Sequence, residues 1–383
     1  MIVLLSACNR EQPKAPPPFV TRWSAQPSLK YDLGCFVGIM TGREFYTRYY
    51  PDLYKEWKKK LSPAARSALK TIDRILGPNT PPGPRLCLML SACAADDSLA
   101  AILRGIDDED AMRQALLSSS STGAADYQQW HAIRPHFRTF LEFLRTQRFG
   151  DYWRDHLMPP ISKQLPHLRQ ELQAFDVIGD LERFLIDYRL PDTIRVYVVR
   201  LVQPHSVRLP GQRYVADVTY PIQLTVKSAY HALAHGYGDR IVDSLLAVPF
   251  KRLEQDSFLQ LTVARIDANS GYNSFATLFP EDATTAIEMW VASRRRVLSA
   301  GDHAATHDPV EAVRRYLRER DEGIHVLAAV IYSYLAEGLK KDDQSYADFV
   351  RMLFDTGRLS PGKIETRYQQ FMNTGQAKGE YGG

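Results

Sequence analysis

The chain reads as a helix-rich α+β fold. Apolar residues recur at helical spacing over most of its length, while β-branched residues crowd into one short region near residues 192–224. The 45% hydrophobic content supplies a core, and 383 residues suit one large domain or two ordinary ones. Charged residues make up 24% and the formal charge is only +4. No Lys/Arg run exceeds three residues (Lys58–Lys60, Arg294–Arg296), so there is no electrostatic footprint for nucleic acid. No apolar run approaches the roughly 20 residues of a membrane span.

Residues 1–27 read as a signal remnant and tether. Leu5-Ser6-Ala7-Cys8 resembles the lipobox of bacterial lipoproteins, whose cysteine is lipidated, and Pro13, Pro16, Pro17 and Pro18 would extend the chain beyond it. The resemblance implies a lipid anchor on Cys8 and a place in the bacterial cell envelope. The leader departs from the usual pattern: seven residues precede Cys8 and none is basic. The same four letters recur at Leu90–Cys93, so position and the proline tether carry the reading. Cys35, Cys87 and Cys93 remain, with no CxxC. Zinc-ribbon and thioredoxin readings fall away; one bridge, or three small buried residues, stays open.

Residues 28–190 read as a helical N-terminal region. An aromatic stripe (Phe45, Tyr46, Tyr49, Tyr50, Tyr54, Trp57) reads as a packing face. Ser62-Pro63 starts a helix that ends before Gly77-Pro78, and residues 77–84 form a loop. Helical patterns follow over about 97–117, 126–148 and 161–188, with a break at 118–123. Residues 191–375 open with strands over 192–202 and 213–224, separated by a turn at 209–212. Helical periods then resume in segments from about 224 to 372, and residues 376–383 read as a disordered tail.

The first of these later helices carries His231 and His235, four residues apart and therefore on one face. Two imidazoles so placed can hold one metal ion, and this is the spacing of a zinc-peptidase helix, His-Glu-x-x-His. The glutamate position holds Ala232. That glutamate takes a proton from metal-bound water and is not a ligand, so alanine removes the base and leaves metal binding open. His303 and His307 share the spacing but lie in a turn-like stretch ending at Asp308-Pro309. A third ligand has two candidates: Glu254, nineteen residues after His235, and Glu281, in the first turn of a further helix.

The ordered features from Val215 to Phe354, about 140 residues, resemble a group of uncharacterised bacterial zincin-like proteins of the gluzincin type. There a strand precedes the histidine helix, a second helix supplies a glutamate ligand, and a later helix opens with glycine and an aromatic residue. The resemblance implies a zincin-like architecture, zinc as cofactor, and Glu281 rather than Glu254 as third ligand. It also implies an edge strand able to bind an extended peptide. This chain departs from that pattern at Ala232, at Thr284 and Thr285 where a basic residue is common, and at Ile324-His325 after Gly323. His325 is a candidate oxyanion donor.

Three readings follow: a degenerate metallopeptidase-like lipoprotein binding a peptide or envelope partner, an active protease using Glu288 or Asp239 as base, or a helical scaffold without metal.

Overall fold

The computed structural model describes residues 19–94, 98–119, 123–266, 274–298, 308–320 and 323–373. Cys8, His303 and His307 lie outside them. The fold is α+β and helix-rich, organised about one four-stranded sheet of order β1-β2-β4-β3. β1 is Arg22–Pro27, β2 Thr193–Val199, β3 Val207–Leu209 and β4 Arg213–Asp217. β1 and β4 flank β2 in parallel; β3 runs antiparallel to β4 and forms one edge.

Successive side chains on a strand point to opposite faces, and here each face has its own core. Ile194, Val196 and Val198 of β2 and Tyr214 and Ala216 of β4 pack into one. Tyr197, Val199 and Val215 pack into the other. A sheet covered on both sides explains the near-continuous apolar run of β2. The helices Leu29–Met40, Pro63–Leu76, Pro82–Leu90 and Gly123–Thr146 build the second core. Two of them touch backbone to backbone: a Cβ on Gly38 would stand 2.5 Å from the Gly83 nitrogen. The first core holds Met158–Leu172, Val177–Leu185 and the helices after β4.

Several expectations change. Residues 22–27, read as tether, form β1, whose approach is held by Asp176: its Oδ1 accepts from the Val20 and Thr21 nitrogens at 3.1 and 3.0 Å. The expected boundary at 190 does not separate the cores, because residues 158–185 pack with the C-terminal half. The stretch between the two expected strands contains β3. The helix expected over 224–246 is α-helical from Ile222 to Arg240, then widens to a π turn over Ile241–Leu245. The stripe is split: Trp57 is buried against Phe36 and Phe149, while Phe45 is exposed. Cys35, Cys87 and Cys93 are buried free thiols. Among the described residues, no helix is long and apolar enough to cross a membrane.

The loop from β2 to β3 shapes the site and is tied to the first helix. Asp32, fully buried, accepts from the backbone nitrogens of Arg200 and Leu201 at 2.8 and 3.0 Å and from Trp153 Nε1 at 2.8 Å. Burial pushes the Asp32 carboxyl up to about 7, against those three donors.

Candidate functional site: a histidine–glutamate cluster in an edge-strand cleft

The histidine helix, Ile222–Arg240, buries Val226, Tyr230, Leu233 and Tyr237, a stripe at helical spacing. Three tyrosines lock its rotation. Tyr214 donates to the Thr225 carbonyl at 3.2 Å, Tyr230 to Asp180 at 2.6 Å, and Tyr237 to Asp187. The adjoining stripe, Lys227, His231, His235 and Asp239 at four-residue steps, is thereby turned towards a second helix, Phe275–Arg294. That helix presents Glu281, Thr284 and Glu288 on one face. The two helices run antiparallel, so Lys227 meets Glu288 and His235 meets Glu281.

Contact is close because of Gly238. A Cβ there would stand 2.2 Å from Thr284 Oγ1 and 2.9 Å from the Pro280 carbonyl. Thr284 folds back on that carbonyl at 2.9 Å. A long basic side chain at 284 has no room under this crossing.

Glu281 lies between the histidines: Oε1 is 3.3 Å from His231 Nε2, and Oε2 is 3.7 Å from His235 Nε2. Each Nδ1 is held from behind, His231 by Glu288 at 2.8 Å and His235 by Asp239 at 3.1 Å. Lys227 lies 2.9 Å from the other Glu288 oxygen, an ion pair rather than an aligned hydrogen bond. Glu281 and Glu288 are nearly buried, at 8% and 4% side-chain exposure, so these charges are paired in place of water. Burial opposes charge on His231, but the carboxylates on its two nitrogens prevail and raise it to about 10. Burial likewise opposes charge on Glu281, and His231 chiefly brings it down to about 2.

Among the described residues, no three His, Cys, Asp or Glu side chains already form a metal cage. The donors at this site still contact one another. The two N···O separations, 3.3 and 3.7 Å, bracket the edge of about 3.4 Å of a tetrahedron with ~2.1 Å bonds. Both Nε2 atoms face the one Glu281 carboxylate, one at each oxygen. Two imidazoles and a carboxylate meet here, with each ring's Nδ1 held by a second carboxylate; imidazole and carboxylate are donor types that zinc sites use.

The cluster forms the floor of a cleft of about 620 Å³. Its walls include Ser206 and Arg208 at the β3 edge, Tyr316, and Asp126 from the N-terminal half. Ala232 lines the cleft beside the histidines and offers no proton acceptor. His325 also lines it; its Nδ1 meets Asp282 Oδ1 at 2.7 Å, and Asp282 Oδ2 accepts from the Leu327 nitrogen at 3.1 Å. Asp282 thus both orients His325 and ties the start of the helix Val326–Ala336.

The structure therefore brings together His231, His235 and Glu281, with Ala232 and His325 at the same cleft. Glu254 is elsewhere: its carboxylate pairs with Lys251 at 2.8 Å and does not line the cleft. Glu288 and Asp239, considered as replacement bases, sit behind the imidazoles on their Nδ1 atoms. Sequence reasoning missed Lys227, Gly238 and Asp282. For Lys227, the signal was its place one turn before His231.

Comparison with family models, with curated proteins and with solved structures finds no match.

Proposed function

We propose that this is a zincin-like protein whose zinc site persists without its general base, acting as a peptide-binding pseudopeptidase. The observation that carries the reading is the carboxylate of Glu281 between His231 Nε2 and His235 Nε2, with Glu288 and Asp239 orienting the two rings. His231, His235 and Glu281 would hold the ion. Zinc in such a site supplies Lewis acidity towards a carbonyl or a water.

The chain's own residues then bind rather than cleave. Ala232 takes no proton. The cleft-lining carboxylates besides Glu281 are Glu288 and Asp126, engaged by Lys227 with His231 and by Arg85. That arrangement weighs against the reading as an active protease using another base. β3 is a sheet edge on the cleft, suited to an extended peptide that adds as a strand. A peptide segment of an envelope protein is the partner we assign, with a lipid anchor on Cys8 placing the molecule at the membrane.

Calorimetric titration of the metal-free protein with Zn²⁺ tests the core of this reading. One equivalent bound by the native protein, and lost in His231→Ala and Glu281→Ala variants that remain folded, is expected. No uptake, or uptake unchanged in both variants, overturns it and leaves a metal-free helical scaffold.

A further inference from the structure

Arg208 is the middle residue of β3. Its neighbours Val207 and Leu209 are buried in the N-terminal core, on one face of the sheet. Arg208 projects from the opposite face, the one on which its register partner Tyr214 packs and against which the histidine helix lies. It lines the cleft. His235 lines the same cleft.

Other charged groups of the cleft are spoken for: Lys227 by Glu288, Asp126 by Arg85, and Glu281 by both histidines. Among the described residues, Arg208 has no carboxylate within ion-pair distance. A guanidinium on an edge strand, facing a cleft and lacking an acid, is complementary to a carboxylate on whatever pairs with that strand. The fork of N–H donors matches a carboxylate in a fixed plane.

We infer that Arg208 is a specificity residue, and that the peptide accepted along β3 carries an aspartate or glutamate side chain opposite it. This rests on the peptide-binding reading above and adds the chemistry of one subsite. Lys227 and the zinc ligands lie at the cleft floor and leave this selection to the strand edge.

The test uses the full chain in buffer with added Zn²⁺ and fluorescein-labelled octapeptides with amidated C-termini on an alanine–serine background. Each carries a single glutamate, or the isosteric glutamine, at one of the eight positions. Fluorescence anisotropy is expected to show one position where glutamate binds about tenfold tighter than glutamine, equivalent to about 1.4 kcal/mol. The increment is expected to shrink with added salt and to vanish in Arg208→Gln. Equal binding of the glutamate and glutamine peptides at all positions overturns the inference. So does an increment that survives in Arg208→Gln, or a gain that appears only when the C-terminus is left as a free carboxylate. Zinc uptake, followed separately by calorimetry, distinguishes the two levels. An acid increment without zinc uptake removes the zinc site and keeps the subsite, whereas zinc uptake with no acid increment removes the subsite alone. Failure of every peptide to bind removes both the subsite and the peptide-binding role.

Discussion

The Glu288 carboxylate holds His231 Nδ1 at 2.8 Å while Lys227 holds its other oxygen at 2.9 Å. The lysine and the histidine lie one turn apart on one helix, so a single carboxylate spans both. Burial works against the ionised form of Glu288, and Lys227 with His231 overcomes it, lowering its pKa. The arrangement fixes the His231 ring so that Nε2 faces Glu281. Removing an orienting partner of this kind typically weakens metal binding by about tenfold to a hundredfold. Glu288→Gln is expected to lose zinc affinity in that range, and Lys227→Met to lose less, since it acts one step further out. Competition with a chromophoric chelator reads both. Affinity unchanged in Glu288→Gln would show that the contact does not position the ring.

Placing a carboxylate at position 232 is a sharper probe of the proposed reading. Ala232 is only half-buried and lines the cleft, so a glutamate there has room to extend. General-base assistance is worth about 10²–10⁴ in rate. Ala232→Glu is expected to raise hydrolysis of a quenched fluorogenic peptide by about two orders of magnitude, in a manner abolished by a chelator and by His235→Ala. Zinc bound stoichiometrically with no gain in turnover would mean that the site lacks more than its base.

The crossing at Gly238 sets the distance between the helix that carries His231 and His235 and the helix that carries Glu281. A methyl group there meets Thr284 Oγ1 and the Pro280 carbonyl, which is backbone and cannot swing away. Overpacking at such a contact costs about 1–3 kcal/mol. Gly238→Ala should lower the urea midpoint accordingly and also weaken zinc binding, because His235 and Glu281 flank the contact. Adding Thr284→Ala should recover part of both. A loss of stability without any change in zinc affinity would separate the crossing from the site.

Much of this site was legible because its logic is local. Four-residue spacing puts His231 and His235 on one face, whereas the choice of Glu281 over Glu254 comes only from the resemblance. Glu288 and Asp239 were visible as nearby acids, but their service to Nδ1 is a matter of ring direction, which no spacing reveals. The strands were harder. β2 announces itself by composition, whereas β3 has three residues and β1 follows a proline-rich stretch. Both exist through pairing with partners, β1 with β2 across more than 160 residues of sequence, and neither has a long enough period to read. The glycine crossing is likewise a fact of two helices together. Gly238 in a helix interior reads in isolation as a weak point.

Asp32 gives a stability signature independent of the cleft floor. Its carboxyl is raised to about 7 by burial, above the ordinary value of 3.8 that the unfolded chain is expected to show. Between those values the folded protein binds more protons than the unfolded one, so this group's contribution to stability falls as pH rises from about 4 to about 7 and is flat above. The direction is opposite to that of Glu281, whose lowered pKa contributes stability above its ordinary value and loses it as pH falls towards 2. Asp32→Asn removes the titration. Its amide oxygen can still accept from the Arg200 and Leu201 nitrogens, but its NH₂ then faces the Trp153 N–H, donor against donor. A loss of about 1–3 kcal/mol is expected for that unsatisfied contact. Urea midpoints at pH 4.5, 6 and 7.5 should show the native protein's stability falling more steeply with pH than the variant's, so that the gap between them narrows towards neutrality. Parallel slopes in the two proteins would place the Asp32 pKa at its ordinary value, with the three N–H donors outweighing burial.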